Sequence, residues 1–504
     1  MDSPKNRGGV VALELDDFDS GKGDDTGTVD AMGSGSADQR DMRRMGKEQE
    51  FRRVFRQFSL LSFTAICMST WEFVIMANTQ GLTDGGRAGL FWSYAWTFLG
   101  FGFLTASLAE MASMAPTAGG QYHWVSEFAP SKYQQFLSYC SGWLSTLSWQ
   151  AANASGGFLV GTLIQSLMII KNPDYGAPGW QGFLLVVPVV LICTGFNVWL
   201  TGVLPLLQNV IMAVHVFAFV AIVVVLWVLA PHVDAKTALL TFTNDGGWPS
   251  IGLALMIGQL SSVSALGSSD AAAHVSEEVH DAGLTVPRSM WWTFVINATM
   301  GLIMMATFVF CIPSVDDALN DPTGYPFLYV FQLALPDSGT FFFTALLMVL
   351  MMVDPKVYIP VNAVLLSAGI TIGLAAIYIG SPDAYNAIIS LAACAQMGTY
   401  SISISCVLHR RLTAPHLLPE TRWSLGPWGI PINAVSIAYA WTVFFWLFWP
   451  TAIPVTASNL NYAPIVFSAA LILAIIYYYM KAKNFYKGPV TYTEGWVDTH
   501  GHSS

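Results

Sequence analysis

Long apolar segments dominate this chain and restrict what it can fold into. A bilayer core requires about 20 consecutive apolar residues in each helical span. We number the candidate segments spans 1 to 12: 58–80, 88–112, 134–168, 182–200, 205–230, 249–272, 287–312, 339–353, 357–380, 384–408, 431–449 and 463–480. Span 8 is short. Only 11% of the 504 residues are charged, against roughly 25% in soluble proteins, so we predict an all-α protein with about twelve transmembrane helices.

Both ends of the chain are polar. Residues 1–50 contain a run rich in glycine, serine and aspartate between Ser20 and Arg40. This composition cannot bury a core, so we predict a disordered tail. The tail has no apolar stretch typical of a cleaved signal peptide. The membrane domain is predicted over 51–482, and a second tail over 483–504.

Lysine and arginine are unevenly distributed between the predicted loops, and the richer loops face the cytoplasm in most membrane proteins. If the N-terminus is inside, the outer loops contain only Arg87, Lys171 and Lys236. The inner loops contain many more: Arg40, Arg43, Arg44, Lys47, Arg52, Arg53, Arg56, Lys132, Arg288, Lys356, Arg410, Arg411, Arg422, Lys481, Lys483 and Lys487. We therefore predict that both termini are cytoplasmic.

Net charge argues against nucleic-acid binding, and cysteine spacing argues against a metal site. The net charge of −10 is not that of a nucleic-acid-binding protein. The six cysteines lie inside apolar segments and at no spacing typical of metal ligands. We interpret them as small core residues and predict no metal site.

Span 6 contains a short polar stretch at membrane depth. Leu266 is followed by Gly267, Ser268, Ser269 and Asp270. An acid inside a membrane segment is expected to be functional, and an interrupted helix is tolerated there only where its free backbone lines a cavity. We predict a discontinuous helix, with Gly267 supplying the backbone freedom. The alternative is a glycine kink in a packed helix.

Span 1 contains a similar stretch. It reads Met68, Ser69, Thr70, Trp71 and Glu72, and the acid falls near the bilayer centre. A charged acid there costs about 2.5–3.5 kcal/mol. Glu72 is therefore either a protonated or paired residue that holds two helices together, or a counter-charge for a substrate ammonium group. We place Trp71 in the binding pocket.

The two polar stretches lie five spans apart, in helices that run in opposite directions. This arrangement predicts an inverted repeat of five plus five spans, over 58–230 and 249–408, with two further helices over 431–480. Span 5 adds one more titratable group, His215. It either forms a hydrogen bond to a neighbouring helix or couples transport to protons, because its charge changes near physiological pH.

Discontinuous helices near the bilayer midplane are typical of the binding sites of secondary transporters. The chain has no dinucleotide fingerprint, no P-loop and no nucleophile–base set. We therefore predict a transporter driven by an ion gradient, and neither an enzyme nor a protein with a bound cofactor.

Several motifs of this chain resemble those of the fungal amino acid/choline transporters, which include GABA and choline permeases, within the amino acid–polyamine–organocation superfamily. Two motifs are specific to that group: 109–124, which reads AEMASMAPTAGGQYHW, and 274–288, which begins HVSEE and ends VPR. Weaker matches are 58–62, 70–72, 82–90, 142–144 and 149–152. The resemblance covers about 51–480.

This resemblance implies the LeuT fold, in which unwound parts of spans 1 and 6 bind the substrate. The backbone near Met68–Thr70 and Leu266–Ser269 would then hold a carboxylate. It also implies proton symport across the plasma membrane, with an amino acid or GABA as substrate, and with the proton and the lipid bilayer as the other partners. A choline or polyamine permease is the alternative, because Glu72, Asp270 and Trp71 suit a cation.

The chain departs from the family pattern after span 8. Residues 346–352 run directly into 353–362, which resembles the family's entry to span 9. Roughly three to four dozen residues are missing relative to that pattern, including the inner half of span 8. A third interpretation is therefore an inactive form, produced by splicing or by a faulty gene model, with its discontinuity at Met352–Val353.

Overall fold

A computed structural model describes residues 35–199, 204–352, 361–379, 384–456 and 459–489. These parts of the chain are helical, and within them the only strand-like pairing is an isolated bridge between Phe55 and Val279. The predicted all-α class is confirmed. Val353, on one side of the predicted discontinuity, lies outside the described residues.

In the described residues, eleven helices are long and apolar enough to cross a membrane. These are spans 1 to 7 and 9 to 12: Gln57–Thr83, Gly86–Met114, Gln134–Lys171, Gly179–Trp199, Gln208–Leu229, Ile251–Glu278, Ala282–Phe310, Val361–Ile379, Asn386–Thr413, Gly426–Trp446 and Ala463–Met480. Span 8 is the shorter apolar helix Asp337–Met352, of 16 residues. The protein is therefore an integral membrane protein, with the short span where the sequence predicts it.

Spans 1 and 6 are interrupted, as predicted. Span 1 consists of the helices Gln57–Met68, Thr70–Met76 and Thr79–Thr83. Span 6 consists of Ile251–Gly258 and Leu260–Leu266, followed by a 3₁₀ helix over Ser269–Glu278. A ten-residue 3₁₀ helix is unusually long, so the second half of span 6 is more tightly wound than that of span 1.

The interrupted helices lie towards the centre of the bundle. Of the most apolar stretch of span 1, 83% is buried, against 22% for span 4 and 17% for span 9. The first two helices of span 1 and the 3₁₀ part of span 6 pack against span 7, and the Leu260–Leu266 helix packs against spans 2 and 10. The outer spans leave large apolar side chains exposed, as lipid contact requires.

Five shorter α-helices lie outside the spans, one before span 1 and four between spans: Ser36–Arg44, Gln121–Phe128, Ala235–Leu240, Val315–Leu319 and Pro326–Ala334. The first lies inside the segment 1–50 that the sequence predicts to be disordered. It is ordered by tertiary contacts, because Asp38 accepts hydrogen bonds from the backbone N–H groups of Asp281 and Ala282, each at 2.9 Å. We call the side of the protein that carries this helix the N-terminal face.

Candidate functional site

A cavity of about 210 Å³ lies between the two interrupted helices. Its lining residues at the interruptions are Met68, Ser69, Gly267 and Ser268. Further polar side chains line the cavity: Ser264 of span 6, and Ser148, Asn153, Ser155, Thr194, Asn197, Ser367, Thr371 and Gln396 of other spans. Span 8 contributes its last three residues, 350–352. None of the described residues that line the cavity is charged.

The backbone at each interruption turns at a serine. Ser69 has φ = 40° and Ser268 has φ = 67°, both in the left-handed region, which costs a residue with a side chain roughly 1–2 kcal/mol. Gly267 has φ = −64° and an extended ψ of 178°, which any residue can adopt. The predicted backbone role of Gly267 is therefore wrong. A Cβ at this position would lie 3.0 Å from Oε1 of Gln396, so a side chain here would have to displace the end of the Gln396 side chain.

Glu72 and His215 form a pair away from this cavity. Oε1 of Glu72 lies 2.6 Å from Nδ1 of His215, and each side chain is only 1% exposed. The indole N–H of Trp71 also points at Nδ1, at 3.2 Å. The pair ties the second helix of span 1 to span 5. Trp71 packs there against His215 and Phe219 and is not among the described residues that line the cavity.

A second acid–histidine pair follows the interruption in span 6. Oδ2 of Asp270 lies 3.5 Å from Nε2 of His274, one helical turn further on. The Asp270 carboxylate accepts a hydrogen bond from the Gln121 amide at 2.5 Å and lies next to the Tyr400 hydroxyl. The Gln396 amide in turn donates to the Tyr400 oxygen at 2.9 Å. Asp270 is thus linked to a side chain that lines the cavity.

The two family-specific motifs of the sequence meet around His274. Nδ1 of His274 lies 3.1 Å from the carbonyl oxygen of Ala118. Gly120 has φ = 50°, and a Cβ there would lie 3.0 Å from the imidazole, so both its conformation and its surroundings require glycine. Sequence reasoning used His274 only as part of a motif. Its i, i+4 spacing from Asp270 was the signal that could have identified the pair.

An open groove of about 780 Å³ lies beside the cavity, towards the N-terminal face. It is lined by the first part of span 3 and by residues of the 3₁₀ helix, including His274 and Glu278. The cavity and the groove share Cys67, Trp149, Asn153 and Ser367. The Trp149 ring also stands edge-on against the His274 ring, with centroids 5.5 Å apart. His274 therefore faces the groove, and Trp149 separates the groove from the cavity.

Ion pairs hold the N-terminal face together. Arg44 binds Glu127 at 2.6 Å and Lys47 binds Glu277 at 2.8 Å, which attaches the N-terminal segment to the short helix after span 2 and to span 6. Burial alone would raise the pKa of the Glu127 carboxyl, but His123 and Arg44 hold this pKa below its ordinary value. Glu127 is therefore charged at neutral pH, and its attachment to Arg44 persists.

The family model for amino acid permeases matches residues 55–353 and 349–470. The chain belongs to the amino acid permease family. The two matched pieces meet at 349–353, which is where the sequence departs from the family pattern. The family assignment confirms the resemblance to fungal amino acid and choline transporters, and two curated fungal proteins extend it.

Amino-acid permease 2 of Neurospora crassa is 23% identical, over 97% of this chain and 97% of its own length. A choline transporter of Saccharomyces cerevisiae is 24% identical, over 86% of this chain and 83% of its own. The alignment with the Neurospora permease extends over 531 residues, more than the 504 of this chain. The relative therefore contains residues that this chain lacks.

Among solved structures, a manganese transporter of Eremococcus coleocola has a similar fold. Its TM-score is 0.50 at 13% identity, and the match covers 83% of this chain and 92% of that one. This likeness concerns the fold, which is the predicted LeuT-like arrangement. Within the described residues, no group of three or more His, Cys, Asp or Glu side chains could hold a metal ion.

Proposed function

We propose that this permease carries small zwitterions, amino acids or GABA, across the plasma membrane together with protons. The observation that supports this most directly is the uncharged lining of the cavity in the described residues. A zwitterion has no net charge, so hydroxyls, amides and free backbone groups can satisfy both of its ends. A polyamine would bring several uncompensated positive charges into the same space, at a high desolvation cost.

Of the predicted binding residues, we propose that Met68, Ser69, Gly267 and Ser268 contact the substrate. The remaining predicted residues are Thr70, Trp71, Glu72, Leu266, Ser269 and Asp270. They are not among the described residues that line the cavity, so we assign them supporting roles behind it. Glu72 and His215 stay candidates for coupling, although their burial away from the cavity favours a role in holding spans 1 and 5 together.

Choline is the second candidate substrate. The cavity lining includes Phe73 and Trp149, and an aromatic face attracts a quaternary ammonium group. The Saccharomyces relative is named as a choline transporter. Choline has no carboxylate, however, so its binding would leave the polar groups at the two interruptions without an ionic partner.

We propose that the N-terminal face is cytoplasmic, since the lysine- and arginine-rich loops belong to it. Span 8 would then end short of the cytoplasmic side. Its 16 residues rise about 24 Å, against a bilayer core of about 30 Å. Local thinning can absorb this difference for a few kcal/mol at most. The missing packing beside the cavity is harder to replace, so we expect weak coupled transport from the chain as it stands.

Uptake of labelled GABA, choline and a panel of amino acids into a transport-deficient yeast tests this proposal. The chain should be compared with a version in which the missing segment is restored from a close relative, with both quantified at the cell surface. We expect the restored version to transport a zwitterion at least about tenfold faster. Binding of the same labelled substrates to both purified proteins is the control, because it separates a loss of transport from a loss of the binding site. Transport of choline alone would contradict the proposed substrate, whereas full proton-coupled uptake by the chain with the short span 8 would contradict the expected defect.

A further inference from the structure

The hydrogen bonds around His274 determine which of its nitrogens carries a proton. A carbonyl oxygen can only accept, so the contact with Ala118 at 3.1 Å requires a hydrogen on Nδ1. In the neutral ring, Nε2 then has a lone pair. That lone pair faces the Asp270 carboxylate at 3.5 Å, which is a second acceptor. Two acceptors face each other favourably only when a proton lies between them.

The surroundings of the pair indicate that the proton between His274 and Asp270 can exchange. Nε2 of His274 and Oδ1 of Asp270 have no other hydrogen-bond partner among the described residues. The Asp270 side chain is 3% exposed, whereas that of His274 is 26% exposed and lies on the open groove. The histidine is therefore the exposed member of the pair, and we expect the buried acid to exchange its proton through it.

We propose that Asp270 and His274 jointly bind one exchangeable proton, and that this is the coupling proton of the permease. When the proton is bound, the pair is neutral overall. When it is lost, a single negative charge stays at Asp270, and covering that charge would cost several kcal/mol. Conformations that close the groove over His274 are therefore accessible only to the protonated pair. This inference rests on the proposed function, since it assumes that substrate occupies the adjacent cavity.

The pair is also connected to that cavity. The Gln396 amide donates to Tyr400, whose hydroxyl lies next to Asp270. With its amide nitrogen engaged there, Gln396 directs Oε1 towards Gly267, where an ammonium group could donate to it. Trp149 forms a second connection, because it touches His274 and lines the cavity. The charge at Asp270 therefore influences groups that face the substrate.

Other titratable groups face this region from each neighbouring element. Tyr400 of span 10 lies next to the acid itself. Glu277 is neutralised by Lys47 at 2.8 Å, and Tyr122 and Glu278 line the groove. Glu278 is the closest rival, because it is an acid on the same 3₁₀ helix. The variant Glu278→Gln is therefore the matched control for Asp270→Asn.

The first test needs no substrate. Diethyl pyrocarbonate modifies unprotonated imidazoles, and peptide mass mapping of the purified full chain gives the rate at His274 from about pH 5 to about pH 9. We expect Asp270→Asn to move the midpoint of this profile to lower pH by about one unit or more. His215, with 1% exposure, serves as the unreactive internal reference. An unchanged midpoint in Asp270→Asn, or an equal shift in Glu278→Gln, would overturn the proposal.

The second test measures binding of labelled GABA and the amino acid panel to the same proteins. Affinity in the unaltered chain should fall about tenfold per pH unit above the midpoint, because one proton is linked to binding. Asp270→Asn and His274→Gln should bind with little pH dependence. A retained pH dependence in both variants would overturn the coupling role. If no ligand binds while the His274 profile still depends on Asp270, the proton site stands and the proposed function fails.

Discussion

Spans 1 and 6 are interrupted in the same way and then diverge. Each turns at a serine in the left-handed conformation, Ser69 or Ser268, and each has an acid two or three residues later. In span 1, Glu72 pairs with a histidine 143 residues away on span 5. In span 6, Asp270 pairs with His274 on its own helix. The first pair is sealed in protein, and the second faces an open groove.

The difference shows how burial changes the role of one chemical pair. A sealed pair exchanges its proton slowly and mainly holds two helices at a set distance. A pair with one exposed member can gain and lose a proton without unfolding. The positions of the acids after the two interruptions are alike, so in our proposal the surroundings of each acid give one a structural role and the other a coupling role.

The largest pH effect on stability is expected from a third acid, which has to be removed before the two pairs can be compared. Asp84 lies between spans 1 and 2, and burial raises its pKa from 3.8 to about 8. The folded state then binds this proton more tightly than the unfolded state. The stabilisation is fully present below pH 3.8 and is lost as the pH rises to about 8, by at most about 1.4 kcal/mol per unit.

Unfolding in detergent, followed across this pH range, checks the effect. We expect stability to fall with rising pH in the unaltered chain and to be nearly level in Asp84→Asn. A profile that is the same in both would show that Asp84 is solvated. The Asp84→Asn background then exposes any smaller contribution from the two acid–histidine pairs.

Breaking the sealed pair should cost more stability than breaking the exposed pair. Glu72→Ala leaves His215 buried without its partner, a loss of about 3–5 kcal/mol. Asp270→Ala should cost less than half of that, because His274 keeps its bond to Ala118 and its side chain is 26% exposed. Denaturant midpoints of the purified variants give both values. The double variant Glu72→Met with His215→Leu, which removes both polar groups, should recover most of the loss.

Filling the cavity beside the interruption of span 6 tests whether the substrate binds there. Gly267→Leu places a side chain into a cavity of about 210 Å³ and against Gln396, so we expect substrate affinity to fall at least about 100-fold. Gly252→Leu is the matched control, since a Cβ at Gly252 meets nothing within 4 Å. Equal affinities in the two variants would mean that the substrate binds elsewhere.

The smallest expected effect concerns the two serines. Ser268→Gly relieves a left-handed conformation and should stabilise the protein by up to about 1 kcal/mol. Ser69→Gly relieves the same strain but removes the hydrogen bond from the Ser69 hydroxyl to the Ile66 carbonyl, at 2.5 Å, so its net effect should be near zero. Thermal midpoints measured side by side check this order. Destabilisation by Ser268→Gly would show that its hydroxyl has an unrecognised partner.

Local sequence signals account for the parts of the fold that were predicted. The length of apolar runs determines where helices cross the bilayer, because every backbone polar group in lipid has to be satisfied within the segment. Small polar residues and an acid at membrane depth marked both interruptions, at Met68–Glu72 and Leu266–Asp270. The short span 8 was also predicted, from the length of its apolar segment. All these features depend on neighbours in the chain.

What the sequence could not determine depends on groups brought together from distant spans. Gly267 was predicted for its backbone freedom, whereas its φ is ordinary and Gln396 of span 10 sets the limit on its side chain. Trp71 was placed in the pocket but packs against span 5. The separation of Glu72 from the cavity, and the exposure of His274 to the groove, follow from packing between spans. Hydropathy and spacing contain no information about that packing, so only the tertiary structure decided it.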